Sequence, residues 1–146
     1  MHIKGKKVLI LATHGFEQSE LEVPRARLIE HGAIVRIASP EKGDIRGWHK
    51  REWGRSVPVD LTIDQVNVEE YDALVLPGGH LNPDALRVND KALKVIRAFF
   101  DAGKIVAAIC HAPWLLIETG IAKGRRLTSY KSIKTDLKNA GAKFVD

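Results

Sequence analysis

Cys110 is the only cysteine in the 146-residue chain, and His111 follows it directly in the stretch Ala-Ile-Cys-His-Ala-Pro. A free cysteine is among the most buried residue types and is usually inert, so its presence alone assigns no chemistry. The thiolate is the nucleophilic form, and an ordinary thiol with a pKa of about 8.5 is only a few per cent ionised at neutral pH. Its neighbours therefore decide what Cys110 does. Of the six histidines none follows His111, which excludes pairing with a downstream histidine. Adjacency makes His111 the candidate general base and leaves His14 and His80 as pocket-lining candidates.

The elements that must position these residues read as alternating strands and helices. Lys7 to Ala12 is a short apolar run, as in a strand covered on both faces. Ser19 caps an expected helix to His31, with Glu20 and Glu22 in its first turn. Ala33 to Ala38, Tyr71 to Leu76 and Lys104 to Ile109 read as further strands. Asp44 to Asp60, rich in glycine and holding Trp48 and Trp53, reads as a β-excursion whose aromatics suit an interface. Helices are expected from Asn89 or Asp90 to Gly103, from Ala112 to Thr119 and from Ser132 to Ala140. Short strands near Leu127 and at Lys143 to Val145 complete the pattern. The chain is thus expected to be one α/β domain, 1–146, with a mainly parallel sheet and right-handed crossovers.

In open α/β sheets, sites gather beyond the carboxyl ends of the strands. Three such ends carry His14 to Glu17, Pro77 to His80, and Cys110. A strand-to-helix turn at Cys110 resembles a nucleophile elbow, flanked by Ala108 and Ala112. The His111 N–H and the Gly79 N–H are then the expected oxyanion donors. A helix N-terminus next to Cys110 is expected to favour the thiolate and lower its pKa. Glu17 is the carboxyl expected to face the sulfur, protonated and donating a hydrogen bond.

Other chemistries lack their residues. The histidines are scattered with no H-x-x-x-H or C-x-x-C, so no metal is expected. No G-x-G-x-x-G follows the first strand and no phosphate loop is present, so no cofactor is expected either. The net charge of +5 is concentrated in the tail, where Lys123 to Lys143 contains seven Lys and Arg against Asp136 alone. Tyr130 is its single aromatic, which reads as a solvated face rather than a nucleic-acid groove. No apolar run approaches the length of a membrane span, and the lone thiol makes the cytoplasm the expected compartment.

The stretches Ala108 to Pro113, Asp72 to Gly79 (Asp-Ala-Leu-Val-Leu-Pro-Gly-Gly), Gly15 to Glu17 and Gly124 to Tyr130 together resemble the ThiJ/PfpI family. This is the intracellular-protease-like branch of the class I glutamine amidotransferase-like superfamily. The resemblance implies a three-layer flavodoxin-like sandwich with Cys110 as nucleophile, His111 as its partner and Glu17 as the acid on the sulfur. It implies an oxyanion hole of Gly79 and His111, with Gly78 and Tyr130 in support. It also implies a homo-oligomer, dimer or hexamer, in which Asp84 of a neighbouring subunit orients the histidine. Family members continue with a further strand and helix, whereas this chain stops at Asp146. Implied substrates are peptides, glycated proteins or peptides, and small aldehydes, handled by peptidase, deglycase or glyoxalase chemistry. A non-enzymatic alternative is a redox sensor or chaperone that works through oxidation of Cys110.

Overall fold

A computed structural model describes residues 2–146. In chain order the elements are β1 (Lys7–Leu11), α1 (Gln18–Glu30), β2 (Ile34–Ser39), β3 (Asp44–His49), β4 (Glu52–Pro58), β5 (Leu61–Thr62) and β6 (Ala73–Leu76). They continue with α2 (Leu81–Leu86), α3 (Asp90–Asp101), β7 (Ile105–Ala108), α4 (Pro113–Glu118), β8 (Arg126–Leu127), α5 (Lys134–Asn139) and β9 (Lys143–Phe144). Five strands form one sheet in the order β5-β2-β1-β6-β7, and every pairing in it is parallel. The hairpin β3–β4 and the short parallel pair β8–β9 stand outside it.

β1 lies at the centre, and its apolar run is explained by two-sided burial. Leu9 and Leu11 join Leu74, Leu76, Ile96, Phe99 and Leu115 on one face. Ile10 and Ala12 join Phe16, Leu21, Ile37, Ile45 and Val57 on the other. The alternation follows the two-residue period of a strand, and each fully buried Leu or Phe contributes about 1.5–3 kcal/mol. α3 lies over β6 and β7, while α1 and the hairpin form the thinner opposite layer. That layer stops short of β7, where Ile105 and Ile109 are 54% and 48% exposed.

Most elements match the sequence pattern, with two informative differences. α1 begins at Gln18 with Glu17 at its N-cap, two residues earlier than a Ser19 cap allows. α2 is a helix where Leu-Asn-Pro-Asp reads as a turn; Pro83 sits in its first turn, where a missing N–H costs nothing. Asn89 caps α3 by accepting the Ala92 N–H at 3.0 Å. Among the described residues no helix is long and apolar enough to cross a membrane.

Candidate active site

β7 ends at Ala108 and α4 begins at Pro113, so four residues turn the chain from strand to helix. Cys110 stands in that turn with φ 62°, a left-handed conformation that a residue with a Cβ rarely adopts. Backbone bonds hold it from both sides. Ala112 N–H donates to the Ile109 carbonyl at 3.0 Å, and Tyr130 N–H donates to the Cys110 carbonyl at 2.8 Å. The elbow expected from the sequence is present, and it aims a half-buried thiol into a cleft at the carboxyl end of the sheet.

The acid on the sulfur is Glu20, not Glu17. Its side chain hydrogen-bonds Cys110, and its Oε2 accepts the Gly78 N–H at 2.8 Å. The difference follows from the helix start: Glu17 is the N-cap of α1, and Glu20, three residues on, lies in the first turn. Glu17 instead lines the cleft, and its N–H donates to the Gly78 carbonyl at 3.2 Å. Burial is the main reason the Glu20 carboxyl is held above the ordinary carboxylate range. The Gly78 N–H and the thiol oppose that shift, and the negative charge of Glu17 adds to it.

The Cys110 thiol is likewise pushed up, against the expected lowering, and burial is again the first cause. The N–H groups of Gly79 and His111 both point at the sulfur and favour the thiolate, while the nearby Glu20 charge disfavours it. The helix dipole contributes little, because α4 has six residues and starts three positions beyond the sulfur. Acid and thiol therefore compete for one proton, and the protonated carboxyl can donate to sulfur.

His111 is buried at 3% exposure, enclosed by His80, Trp114 and Tyr130 at centroid distances of 4.1, 5.1 and 5.0 Å. Its Nδ1 lies 3.1 Å from Cys110 Sγ, and its Nε2 lies 3.1 Å from Ser132 Oγ. Burial, and secondarily the charge of His80, hold the imidazole below its ordinary pKa. Tyr130 stacks on the ring and lines the cleft beside His80.

Gly78 and Gly79 form the facing wall, and neither tolerates a side chain. A Cβ on Gly78 would lie 2.6 Å from Cys110 Cβ; one on Gly79, whose φ is 85°, would lie 2.5 Å from the Gly15 carbonyl. Asn82, fully buried in α2, fixes this wall. Its Nδ2 donates to the Pro77 carbonyl at 2.9 Å, and its Oδ1 accepts the Thr13 N–H at 2.8 Å.

One expected contributor lies elsewhere. His14 does not line the Cys110 cleft: its Nδ1 accepts the Arg46 N–H at 3.1 Å, turning it toward the hairpin and a separate depression beside Ser39. Asp84, whose expected role is toward the histidine of a neighbouring subunit, is exposed in the first turn of α2. The hairpin supplies Trp48 and Lys50 to the cleft instead. Ser132, Asn82, Trp48 and Lys50 carry no sequence signal beyond their type. Glu20 does, as a first-turn acid of α1. Among the described residues no group of three His, Cys, Asp or Glu is placed to hold a metal ion.

The sequence matches the DJ-1/PfpI family over residues 6–146. It is 52% identical over 140 residues to the deglycase PH1704 of Pyrococcus horikoshii, covering 96% of this chain and 81% of that protein. It is 43% identical over 142 residues to protein/nucleic acid deglycase 2 of Escherichia coli, covering 97% of this chain and 81% of that one. The crystal structure of Drosophila melanogaster DJ-1beta superposes with a TM-score of 0.86 at 30% identity, over 97% of this chain and 74% of that chain. With its flavodoxin-like sheet and its cysteine elbow, the chain belongs to the DJ-1/PfpI family.

Proposed function

We propose that the protein is a cysteine-nucleophile hydrolase of reactive-aldehyde adducts on proteins, or of the parent aldehydes. The observation that carries this reading is the Cys110 elbow, with the N–H groups of Gly79 and His111 converging on the sulfur. In the reaction Nδ1 of His111 takes the thiol proton and the sulfur attacks a carbonyl carbon. The displaced carbonyl electron pair collects on oxygen, where the Gly79 and His111 N–H groups stabilise it. A cleft of about 460 Å³, with Glu17, Trp48, Lys50, His80 and Tyr130 around it, suits a small carbonyl compound or a single modified side chain. The deglycase names of two relatives support the same substrate class.

The test is turnover of methylglyoxal and of methylglyoxal-treated peptide by wild type and Cys110→Ala. Turnover in wild type that vanishes in the variant is the expected result; equal turnover by both sinks the reading. Cysteine-dependent cleavage of an unmodified fluorogenic peptide without adduct turnover moves it to peptide hydrolysis. A second reading, redox sensing, is favoured by the Glu20 carboxyl against the sulfur, because a protonated acid can donate to a sulfinate. Mass spectrometry after mild peroxide checks it: absence of selective oxygen gain at Cys110 rules it out.

A further inference from the structure

Among the described residues two that are not glycine hold a left-handed backbone, Cys110 at φ 62° and Lys50 at φ 58°, and both border the same cleft. Such a conformation is costly for a residue with a Cβ, and strained positions collect at functional sites. Lys50 and Arg51 form the turn between β3 and β4, with His49 opposite Glu52. A turn position with positive φ is ordinarily filled by Gly, Asn or Asp, none of which carries a long cation. Of the two turn residues only Lys50 borders the cleft, and its backbone is pinned there: the Trp48 indole N–H donates to the Lys50 carbonyl at 3.1 Å. Trp48 is itself a wall of the cleft and packs edge-on against Trp53 at 5.4 Å. Among the described residues Lys50 is paired with no carboxylate. Glu17 also borders the cleft, but on the side toward β7, where it shares a second depression with Glu20, Ala108 and Ser129 that Lys50 does not reach. An anion in the cleft is thus drawn to the hairpin side and repelled from the β7 side.

We propose that Lys50 is a specificity residue: its ammonium receives the carboxylate or phosphate of a small anionic aldehyde whose carbonyl carbon lies at Cys110. The inference rests on the cysteine-nucleophile reading above and narrows its substrates to carbonyl compounds that carry a negative group. A lysine is a point charge on a flexible four-carbon stem, so it suits anions of differing shape and length. Because Trp48 fixes the turn, the stem starts from a set position, and less order is lost when an anion binds. The pair is exposed, so its effect is a few-fold in affinity and is screened by salt. Lys50 makes and breaks no bond. The sulfur adds to the carbonyl carbon, and the Gly79 and His111 N–H groups take the oxyanion whichever anion Lys50 holds.

The experiment compares two alkylating agents on Cys110 in the full chain, the anion iodoacetate and the neutral iodoacetamide. Both react with the same thiolate, so the ratio of their rates cancels its ionisation and reads the charge around it. Cys110 is the only cysteine, so intact mass follows the product directly. At low salt Lys50→Ala should lower the iodoacetate-to-iodoacetamide ratio about threefold and Lys50→Glu about tenfold, while Lys50→Arg keeps it. Lys50→Gly, which relaxes the turn, should match Lys50→Ala. Salt at about 0.5 M should bring the wild-type ratio toward that of Lys50→Ala. With glyoxylate, glyceraldehyde 3-phosphate and methylglyoxal as substrates, Lys50→Ala should lose about three- to tenfold in kcat/KM for an anionic aldehyde relative to methylglyoxal, mainly through KM. The aldehyde more affected identifies carboxylate or phosphate as the group received. A Lys50→Glu ratio equal to wild type, a Lys50→Gly ratio that stays at wild type while Lys50→Ala falls, or an equal loss on all three aldehydes overturns the proposal. Alkylation needs no turnover: the expected ratios in a protein inactive on every aldehyde support the role of Lys50 and overturn the hydrolase reading instead.

Discussion

Glu20 Oε2 accepts the Gly78 N–H at 2.8 Å, so the acid that faces Cys110 is fastened to the turn that also carries Gly79. One helix residue thereby sets the spacing between the acid, the sulfur and the candidate oxyanion donor. Glutamine reproduces the protonated acid: its oxygen can accept from Gly78 and its amide can donate to sulfur. Glu20→Gln should therefore fold normally. It also removes the charge that pushes the thiol up, so its alkylation profile should lie at lower pH than that of wild type. A profile at equal or higher pH would show that Glu20 does not act on the sulfur.

Backbone strain at Cys110 can be read separately from its chemistry. At φ 62° alanine keeps the left-handed cost and glycine does not. Both Cys110→Ala and Cys110→Gly should be inactive, with the glycine variant the more stable by about 1 kcal/mol in urea denaturation. Equal stability would mean that the turn relaxes once the thiol is gone.

Asn82 joins the end of β1 to the Pro77–Gly79 wall through three hydrogen bonds. Asn82→Ala leaves the Thr13 N–H and the Pro77 carbonyl without their partner, at a cost of about 2 kcal/mol or more. The same variant loosens Gly79, so kcat should fall even at temperatures where the fold is intact. Near-ultraviolet circular dichroism alongside kinetics separates the two effects.

The buried acid and the buried imidazole oppose each other in their pH dependence. Glu20 is raised on folding, so its contribution to stability is full below the ordinary carboxylate pKa and is lost as pH rises through its folded value. His111 is lowered on folding, so the unfolded chain binds more protons and stability rises with pH toward the ordinary histidine value. In urea denaturation at about pH 5 and about pH 7, Glu20→Gln should make stability rise more steeply with pH than wild type. His111→Asn should shift the slope in the opposite direction. Parallel slopes in all three proteins would refute both assignments.

Much of the fold can be read from residue pattern because the central strands are covered on both faces. The run Val8 to Ala12 and the Leu-Val-Leu of β6 leave no polar position at which another period fits. α2 is invisible for a local reason: six residues containing Pro83 carry too short a pattern to outweigh the turn signal of Asn-Pro-Asp. The elbow is legible because strand, Cys-His and a helix-starting proline are adjacent in sequence. The acid is displaced by three residues because a helix start two residues earlier decides which side chain turns toward the sheet. The direction of the thiol shift is illegible in the sequence, since it depends on burial and on a carboxyl that only tertiary folding brings to the sulfur. Ser132 lies 21 residues from His111 and announces itself only through a distance.

The hairpin β3–β4 is fastened to the loop after β1 through Gly15 N–H to the Arg46 carbonyl, Trp48 N–H to the Phe16 carbonyl and Arg46 N–H to His14 Nδ1. Ile45 and Val57 anchor its base in the core, whereas Trp48 and Lys50 near its tip reach the cleft. Wall and floor of the site are thus encoded on separate stretches of chain. A hairpin of different length or tip chemistry can be grafted between those two anchors while Cys110, Glu20 and Gly79 stay in register. What the site accepts can then diverge from what it does, and a set of hairpin chimeras becomes a route to new substrate ranges on an unchanged reaction centre.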